Sequence, residues 1–231
     1  MRFAMWSGPR NLSTVMMYAF GARNDFAVMD EPFYAPYLAE SGITHPMIDE
    51  VLAAHETDPA RVADSCRSGG NPHLYMKHMP HHMLPSFPMD WAGDCVNVHL
   101  IRHPARVIAS YAAKREAPTL EDIGFVQQTQ VYNQLGGIVI DSTDVRARPE
   151  VMLRALCAAI DLSFDPAMLQ WASGPRAEDG IWAQHWYGAV HQSTGFSGAE
   201  GPLPDVPPAL QSLLEAALPH YSGLHERRLS P

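Results

Sequence analysis

Short apolar runs of strand length alternate along this chain with segments of helical length, and that order admits few folds. Phe3 to Trp6 reads as a first strand, Ser13 to Ala22 as a helix, and Phe26 to Met29 as a second strand ending in Asp30-Glu31-Pro32. Met47 to Ala54 has a helical pattern, and Leu74 to Met76 is a short third strand. Cys95 to Ile101 is the clearest strand, and Ala105 to Lys114 follows it as a helix. Gly137 to Ile140 is a fifth strand, and Pro149 to Ile160 is an amphipathic helix with Pro149 suited to its first turn. Strands alternating with helices predict βαβ units and an α/β fold, with a mostly parallel sheet covered by helices on both faces.

The 231 residues suit one α/β domain spanning 1–231. The pattern weakens from about Asp165, so 165–231 reads as a lid or flap region of that domain. Within it, Ser193 to Pro208 is rich in Gly, Pro and Ser, and a short final helix is expected near Pro208 to Leu218. The N-terminal MRFAMWSGPR has only a very short apolar stretch and no small-residue cleavage site, and it reads as a strand rather than a signal peptide.

Composition removes several function classes. No apolar run approaches the roughly 18 residues needed to span a bilayer, so no membrane partner is expected. The net charge of −9 argues against nucleic-acid binding, which needs a basic face. Cys66, Cys95 and Cys157 are far apart and odd in number, which points away from a disulfide framework and toward the cytoplasm. Lysine occurs only at Lys77 and Lys114, against 14 arginines. An anion site here must therefore use arginine, backbone N–H groups and hydroxyls, and the planar arginine fork suits bidentate phosphate or sulfate contacts. The same scarcity sets aside a pyridoxal-phosphate transaminase, whose Schiff base needs a lysine in a cofactor motif.

In parallel sheets, ligands bind beyond the carboxyl ends of the strands. After the first strand comes Ser7-Gly8-Pro9-Arg10-Asn11-Leu12-Ser13-Thr14, then a helix. A polar strand-to-helix turn aims free N–H groups outward, Ser13 and Thr14 add hydroxyls, and Arg10 adds charge. The plainer reading is a turn with Ser13 as helix N-cap. It is not a Walker A loop, because Gly-Lys-Ser/Thr is missing. The strand ending at Ile101 is followed by Arg102 instead of a magnesium-binding aspartate, which disfavours a nucleoside triphosphatase. Arg102 then stands at a strand end, with Ser110 about two turns into the next helix.

Pro9-Arg10-Asn11-Leu12-Ser13-Thr14 resembles the 5′-phosphosulfate-binding loop of sulfotransferases, usually Pro-Lys/Arg-Ser-Gly-Thr-Thr. Arg102 with Ser110 resembles their 3′-phosphate motif, and Asp165-Pro166-Ala167-Met168-Leu169 lies in a region similar to one they carry. The resemblance implies a P-loop-like three-layer fold with a central, mostly parallel sheet of about five strands. It also implies the donor 3′-phosphoadenosine 5′-phosphosulfate as co-substrate, without a metal. Arg10, Asn11, Ser13 and Thr14 would hold the phosphosulfate, with Arg10 also acting in catalysis, and Arg102 and Ser110 would hold the 3′-phosphate. Leu12 stands where the family usually has glycine, which allows close backbone approach to phosphate.

Sulfuryl transfer needs an in-line acceptor, charge stabilisation on the donor and a base for the acceptor. His78, in Met76-Lys77-His78-Met79-Pro80, resembles the histidine of the family's Lys-Thr-His-Leu-Pro stretch, with Lys77 displaced by one position. Glu31, before Pro32, resembles a Glu-Pro pair of some bacterial carbohydrate sulfotransferases. Both remain candidates, and a structural carboxylate is the plainer reading of Glu31. His78, His81 and His82 also form a His-x-x-His-His pattern, but Pro80 interrupts it and zinc normally takes three or four ligands. Trp182 or Trp186 would stack on an adenine or pack as a lid patch. The expected activity is sulfuryl transfer to a hydroxyl or amine of a small acceptor. A phosphotransferase on the same fold and a non-catalytic nucleotide-anion binding protein are the alternatives.

Overall fold

A computed structural model describes residues 1–68, 72–112 and 118–230. Five strands run β1 (Arg2–Ser7), β2 (Phe26–Asp30), β3 (His73–His78), β4 (Val96–Ile101) and β5 (Ile138–Asp141). The helices through the second crossover are α1 (Ser13–Gly21), α2 (Tyr34–Ser41), α3 (Ile48–Ala54) and α4 (Pro59–Ser68). Next come α5 (Pro104–Ala112), α6 (Leu120–Ile123), α7 (Phe125–Leu135), α8 (Ser142–Ala147) and α9 (Pro149–Ala159). The last three are α10 (Ala183–Trp186), α11 (Gly188–His191) and α12 (Gln211–His225).

The sheet is wholly parallel in the order β2-β3-β1-β4-β5, so all five carboxyl ends lie along one edge. The chain reverses direction across β1: β2 and β3 lie to one side, β4 and β5 to the other. Ligands bind at such a switch point, here between the loops that leave β1 and β4.

Each face of the sheet carries its own core. Phe3, Met5, Tyr75, Leu100 and Ile140 meet Met16, Met17 and Phe20 of α1 and Met152, Leu153 and Leu156 of α9. On the other face, Ala4, Trp6 and Met76 meet α4 and α7 through Val62, Ala63, Cys66 and Val131. Ile101 and Val139 meet α5 and α12 through Val107, Ile108, Ala217 and Leu224. Alternate residues of one strand thus enter opposite layers, as a period-2 pattern requires.

Several elements run beyond the boundaries expected from sequence. β3 extends to His73 and His78 because pairing to β1 and β2 buries Lys77 and His78. Helix α12 continues to His225 through Pro219, where a terminal helix ending at Leu218 was expected. Helix α5 is described as far as Ala112, so the expected end at Lys114 lies outside the described residues. Helices α2, α4 and α7 have no counterpart in the sequence reading. Among the described residues no helix is long and apolar enough to cross a membrane.

Candidate functional site

The loop leaving β1 turns sharply into α1. Ser13 is not the N-cap: Leu12 takes that position with φ 76°, and Arg10 has φ 62°. Both lie in the left-handed region that non-glycine residues enter at a cost of roughly 1 kcal/mol or more. Leu12 thus adopts the conformation glycine enters freely, while its side chain packs on the core beneath α1. Strain of this kind persists only where surrounding contacts impose it.

One imposing contact is Gln128 on α7, which is buried. Its amide nitrogen donates to the Trp6 carbonyl at 3.0 Å and lies 3.1 Å from His99 Nδ1, and its Oε1 accepts the Gly8 N–H at 3.1 Å. His99 Nε2 lies 3.0 Å from the Gly136 carbonyl. These partners fix a neutral His99 with its proton on Nε2. Burial pushes its pKa down to about 4, which agrees. Gln128 and His99 were not singled out from sequence; a lone Gln in a weakly amphipathic segment carries no motif.

Arg10, Asn11, Arg102 and Ser110 converge at the β1/β4 switch point. Arg10 Nε donates to Ser110 Oγ at 3.1 Å. Arg102 donates to the Arg10 carbonyl at 2.6 Å. Asn11 donates to the Leu100 carbonyl at 3.3 Å, leaving its buried Oδ1 without a partner. Burial, then the positive charge of Arg102, lowers the Arg10 pKa. Ser13 is buried and Thr14 half-buried in the first turn of α1. Ser110 therefore meets Arg10 directly, and Arg102 reaches the loop backbone. Arg102 also pairs with Glu200, as do Arg106 at 3.0 Å and Arg146 at 2.9 Å.

A second polar cluster occupies the β2/β3 end of the same edge. Lys77 is fully buried and donates to Asp30 at 3.0 Å, to Glu31 and to the hydroxyl of Tyr187. The Tyr187 hydroxyl also donates to Asp30 at 2.9 Å. Burial opposes a charged Lys77, but the two carboxylates outweigh it and hold the pKa up at about 12. Burial, against the Lys77 charge and with that of Asp30, raises the Glu31 pKa. Glu31 has φ 42°, and its N–H still bonds the Lys77 carbonyl at 2.9 Å, so the chain kinks as it leaves the sheet. Glu31 Oε2 lies 3.8 Å from His82 Nδ1. His82 is held between the rings of Tyr34 and Tyr37, at 4.7 and 4.8 Å.

His78 projects to the opposite face of the sheet. Its ring stacks on Trp6 at 4.7 Å and meets Trp91 at 4.8 Å, and neither ring nitrogen has a partner. Burial lowers its pKa to about 3. Trp182 is 2% exposed and packs edge-on against Tyr34 at 5.1 Å, so it belongs to the core. Among the described residues no three His, Cys, Asp or Glu side chains gather as a metal site.

The profile of the sulfotransferase domain family matches residues 1–228. The chain belongs to the sulfotransferase family. Solved sulfotransferase structures share the fold of this family member at low identity. The sulfotransferase domain from the curacin biosynthetic pathway gives a TM-score of 0.57 at 14% identity, covering 99% of this chain and 98% of that one. A sulfotransferase from Alicyclobacillus acidocaldarius gives 0.55 at 13% identity, covering 98% and 96%. The sulfotransferase domain of the Synechococcus PCC 7002 olefin synthase gives 0.51 at 17% identity, covering 95% and 94%.

Closer in sequence are two Arabidopsis thaliana proteins named branched-chain-amino-acid aminotransferase-like proteins 1 and 2. They are 36% and 34% identical over alignments of 226 residues that cover 95% of this chain. The sulfotransferase-family chain spans 40% of their length. Its Lys77 ammonium is committed to Asp30, Glu31 and Tyr187.

Proposed function

We propose that this chain transfers a sulfuryl group from 3′-phosphoadenosine 5′-phosphosulfate to a hydroxyl or amine of a small acceptor, in the cytoplasm. The observation that carries the reading is the joining of Arg10, Ser110 and Arg102 at the switch point between β1 and β4. Two loops almost a hundred residues apart meet there with guanidinium groups and few acids. The single described carboxylate among them is Glu200. A surplus of fixed positive charge on half-buried side chains favours a polyanion.

In this reading Arg10, Asn11, Ser13 and Thr14 hold the phosphosulfate, and Arg102 and Ser110 hold the 3′-phosphate. Arg10 balances charge that gathers on the bridging oxygen as the sulfur–oxygen bond breaks. The acceptor oxygen or nitrogen forms the new bond to sulfur, its proton passes to Glu31, and 3′-phosphoadenosine 5′-phosphate departs. Glu31 suits this role because burial lifts its pKa toward the working pH while Lys77 keeps it in place. His78 suits it less, enclosed by Trp6, Trp91 and Phe33 on the far face. The region 165–231 serves as the lid, since Tyr187 closes over Lys77.

The direct test is turnover. Radiolabelled sulfuryl donor is incubated with the protein and a panel of small alcohols, phenols and amines, and labelled product is separated. Label transferred to an acceptor, with wild type active and Arg10→Ala inactive, is the expected result. No transfer across the panel, together with magnesium-dependent phosphoryl transfer from ATP, would replace the reading with a phosphotransferase.

A further inference from the structure

Glu200 sits in a stretch, 196–207, that carries no helix or strand. Residues 197–199 and 201–203 on either side of it are exposed, yet its own side chain is 3% exposed. The carboxylate is enclosed by three guanidinium groups from three places in the fold. These are Arg102 after β4, Arg106 in the first turn of α5, and Arg146 near the end of α8. Thr143 Oγ1 donates to it at 3.4 Å. The same arginines also bind the flap backbone, Arg106 at the Gly201 carbonyl and Arg146 at the Gly198 carbonyl, 3.2 Å.

Burial alone would raise the Glu200 pKa, but the hydrogen bond and charge of Arg102, with Arg106 and Arg146, bring it below the ordinary carboxylate value. Arg102 Nε is buried with no hydrogen-bond partner, and Arg106 Nε faces Glu200 at 3.0 Å without the alignment of a hydrogen bond. One carboxylate thus leaves the donors of this triad only partly satisfied. A phosphate monoester has one more negative charge and three acceptor oxygens, and matches three converging arginines better.

We propose that Arg102, Arg106 and Arg146 form one phosphate-monoester site in which Glu200 is a resident carboxylate that the ligand's phosphate displaces, releasing the 196–207 flap. Arg106 and Arg146 are then ligand-binding residues alongside Arg102. The identity of the ligand, a nucleotide bearing a 3′-phosphate, rests on the donor reading above; the exchange of carboxylate for phosphate does not. Wild type binds more weakly than its arginines alone would, because only the fraction with Glu200 withdrawn is competent.

The test measures binding of 3′-phosphoadenosine 5′-phosphate, adenosine 5′-phosphate and inorganic pyrophosphate to wild type, Glu200→Gln and Arg146→Ala by calorimetry. Hydrogen exchange across 196–207 is followed alongside. Glu200→Gln should bind the bisphosphate about tenfold or more tighter, as removal of a competing state predicts. It should bind adenosine 5′-phosphate as wild type does. Arg146→Ala should bind the bisphosphate more weakly, a result that stands even if Glu200→Gln folds poorly. Exchange in the flap of wild type should rise on adding the bisphosphate.

Equal or weaker bisphosphate binding by folded Glu200→Gln, or binding unaltered in Arg146→Ala, overturns the proposal while wild-type binding leaves the donor reading standing. If no protein binds the bisphosphate, the donor reading falls. The pyrophosphate arm then decides the exchange by the same comparison: tighter binding to Glu200→Gln supports it, and unchanged or absent binding overturns it.

Discussion

Arg102 donates to the main-chain carbonyl of Arg10 at 2.6 Å, so the two loops that the sequence separates by 92 positions are one structure at the edge of the sheet. Arg102→Ala should therefore do two things. It removes the charge-assisted contact proposed for the donor and frees the Arg10 backbone, whose left-handed conformation it supports. A loss of about 1.5–3 kcal/mol, roughly 10- to 150-fold in affinity for 3′-phosphoadenosine 5′-phosphate, is expected. Calorimetric titration checks it. Undiminished affinity in a folded variant would remove Arg102 from the site.

The base assignment separates by a pair of variants. Glu31→Gln should lower kcat by roughly 10²–10⁴ with little change in donor KM. His78→Phe keeps an aromatic ring in the Trp6–Trp91 stack, removes two unpartnered nitrogens, and should hold turnover within a few-fold. Wild-type kcat/KM should rise with pH as Glu31 loses its proton, with a midpoint above the ordinary glutamate value because burial raises it. Loss of turnover in a folded His78→Phe protein would move the base to His78.

Gln128 is a stability and positioning residue in one. Gln128→Leu leaves the Trp6 carbonyl, the Gly8 N–H and His99 Nδ1 without their buried partner. Unsatisfied buried groups cost about 1–3 kcal/mol each, so the urea midpoint should fall clearly. Bisphosphate affinity should fall with it, since Gly8 opens the loop proposed to hold the phosphosulfate. An unchanged midpoint would mean that water replaces the amide.

Buried and half-buried histidines set the acid limit of stability. His78 titrates near 3, His81 and His99 near 4, and His82 well below the ordinary value, in each case chiefly through burial. In the unfolded chain these rings titrate at about 6.5. Below that pH the unfolded state binds more protons, so stability is full above about 6.5 and falls as pH drops toward 4. Each ring contributes up to about 1.4 kcal/mol per pH unit. Glu31, with its raised pKa, opposes this by one proton. Urea midpoints measured from pH 7 to 5 should decline steeply; a flat profile would contradict the burial of these rings.

The layer order and the strand-to-helix loops after β1 and β4 were readable because they rest on local signals. A buried parallel strand reads as a short apolar run, as Phe3 to Trp6 does, and Val96 to Ile101 is apolar at all but Asn97 and His99. The ends of β3 were not readable, since Lys77 and His78 are polar and are buried by strand pairing and tertiary contacts, Lys77 under Tyr187 and His78 against Trp6 and Trp91. Helix α4 escaped notice because only Val62, Ala63 and Cys66 of its ten residues are buried. Leu12 as N-cap contradicts the usual preference for Ser at that position, and a tertiary constraint overrode it. Glu200 carries no local signal at all: an acidic residue in Gly198-Ala199-Glu200-Gly201 reads as loop, and only folding brings three arginines to it.

The most direct measurement of the central claim is a thermal-shift titration of wild type with 3′-phosphoadenosine 5′-phosphate, adenosine 5′-phosphate and magnesium ATP. A ligand that binds only the folded state raises its melting temperature with concentration. A concentration-dependent rise with the bisphosphate, much smaller with adenosine 5′-phosphate and absent with magnesium ATP, is the predicted result. A rise with magnesium ATP and none with the bisphosphate would contradict it.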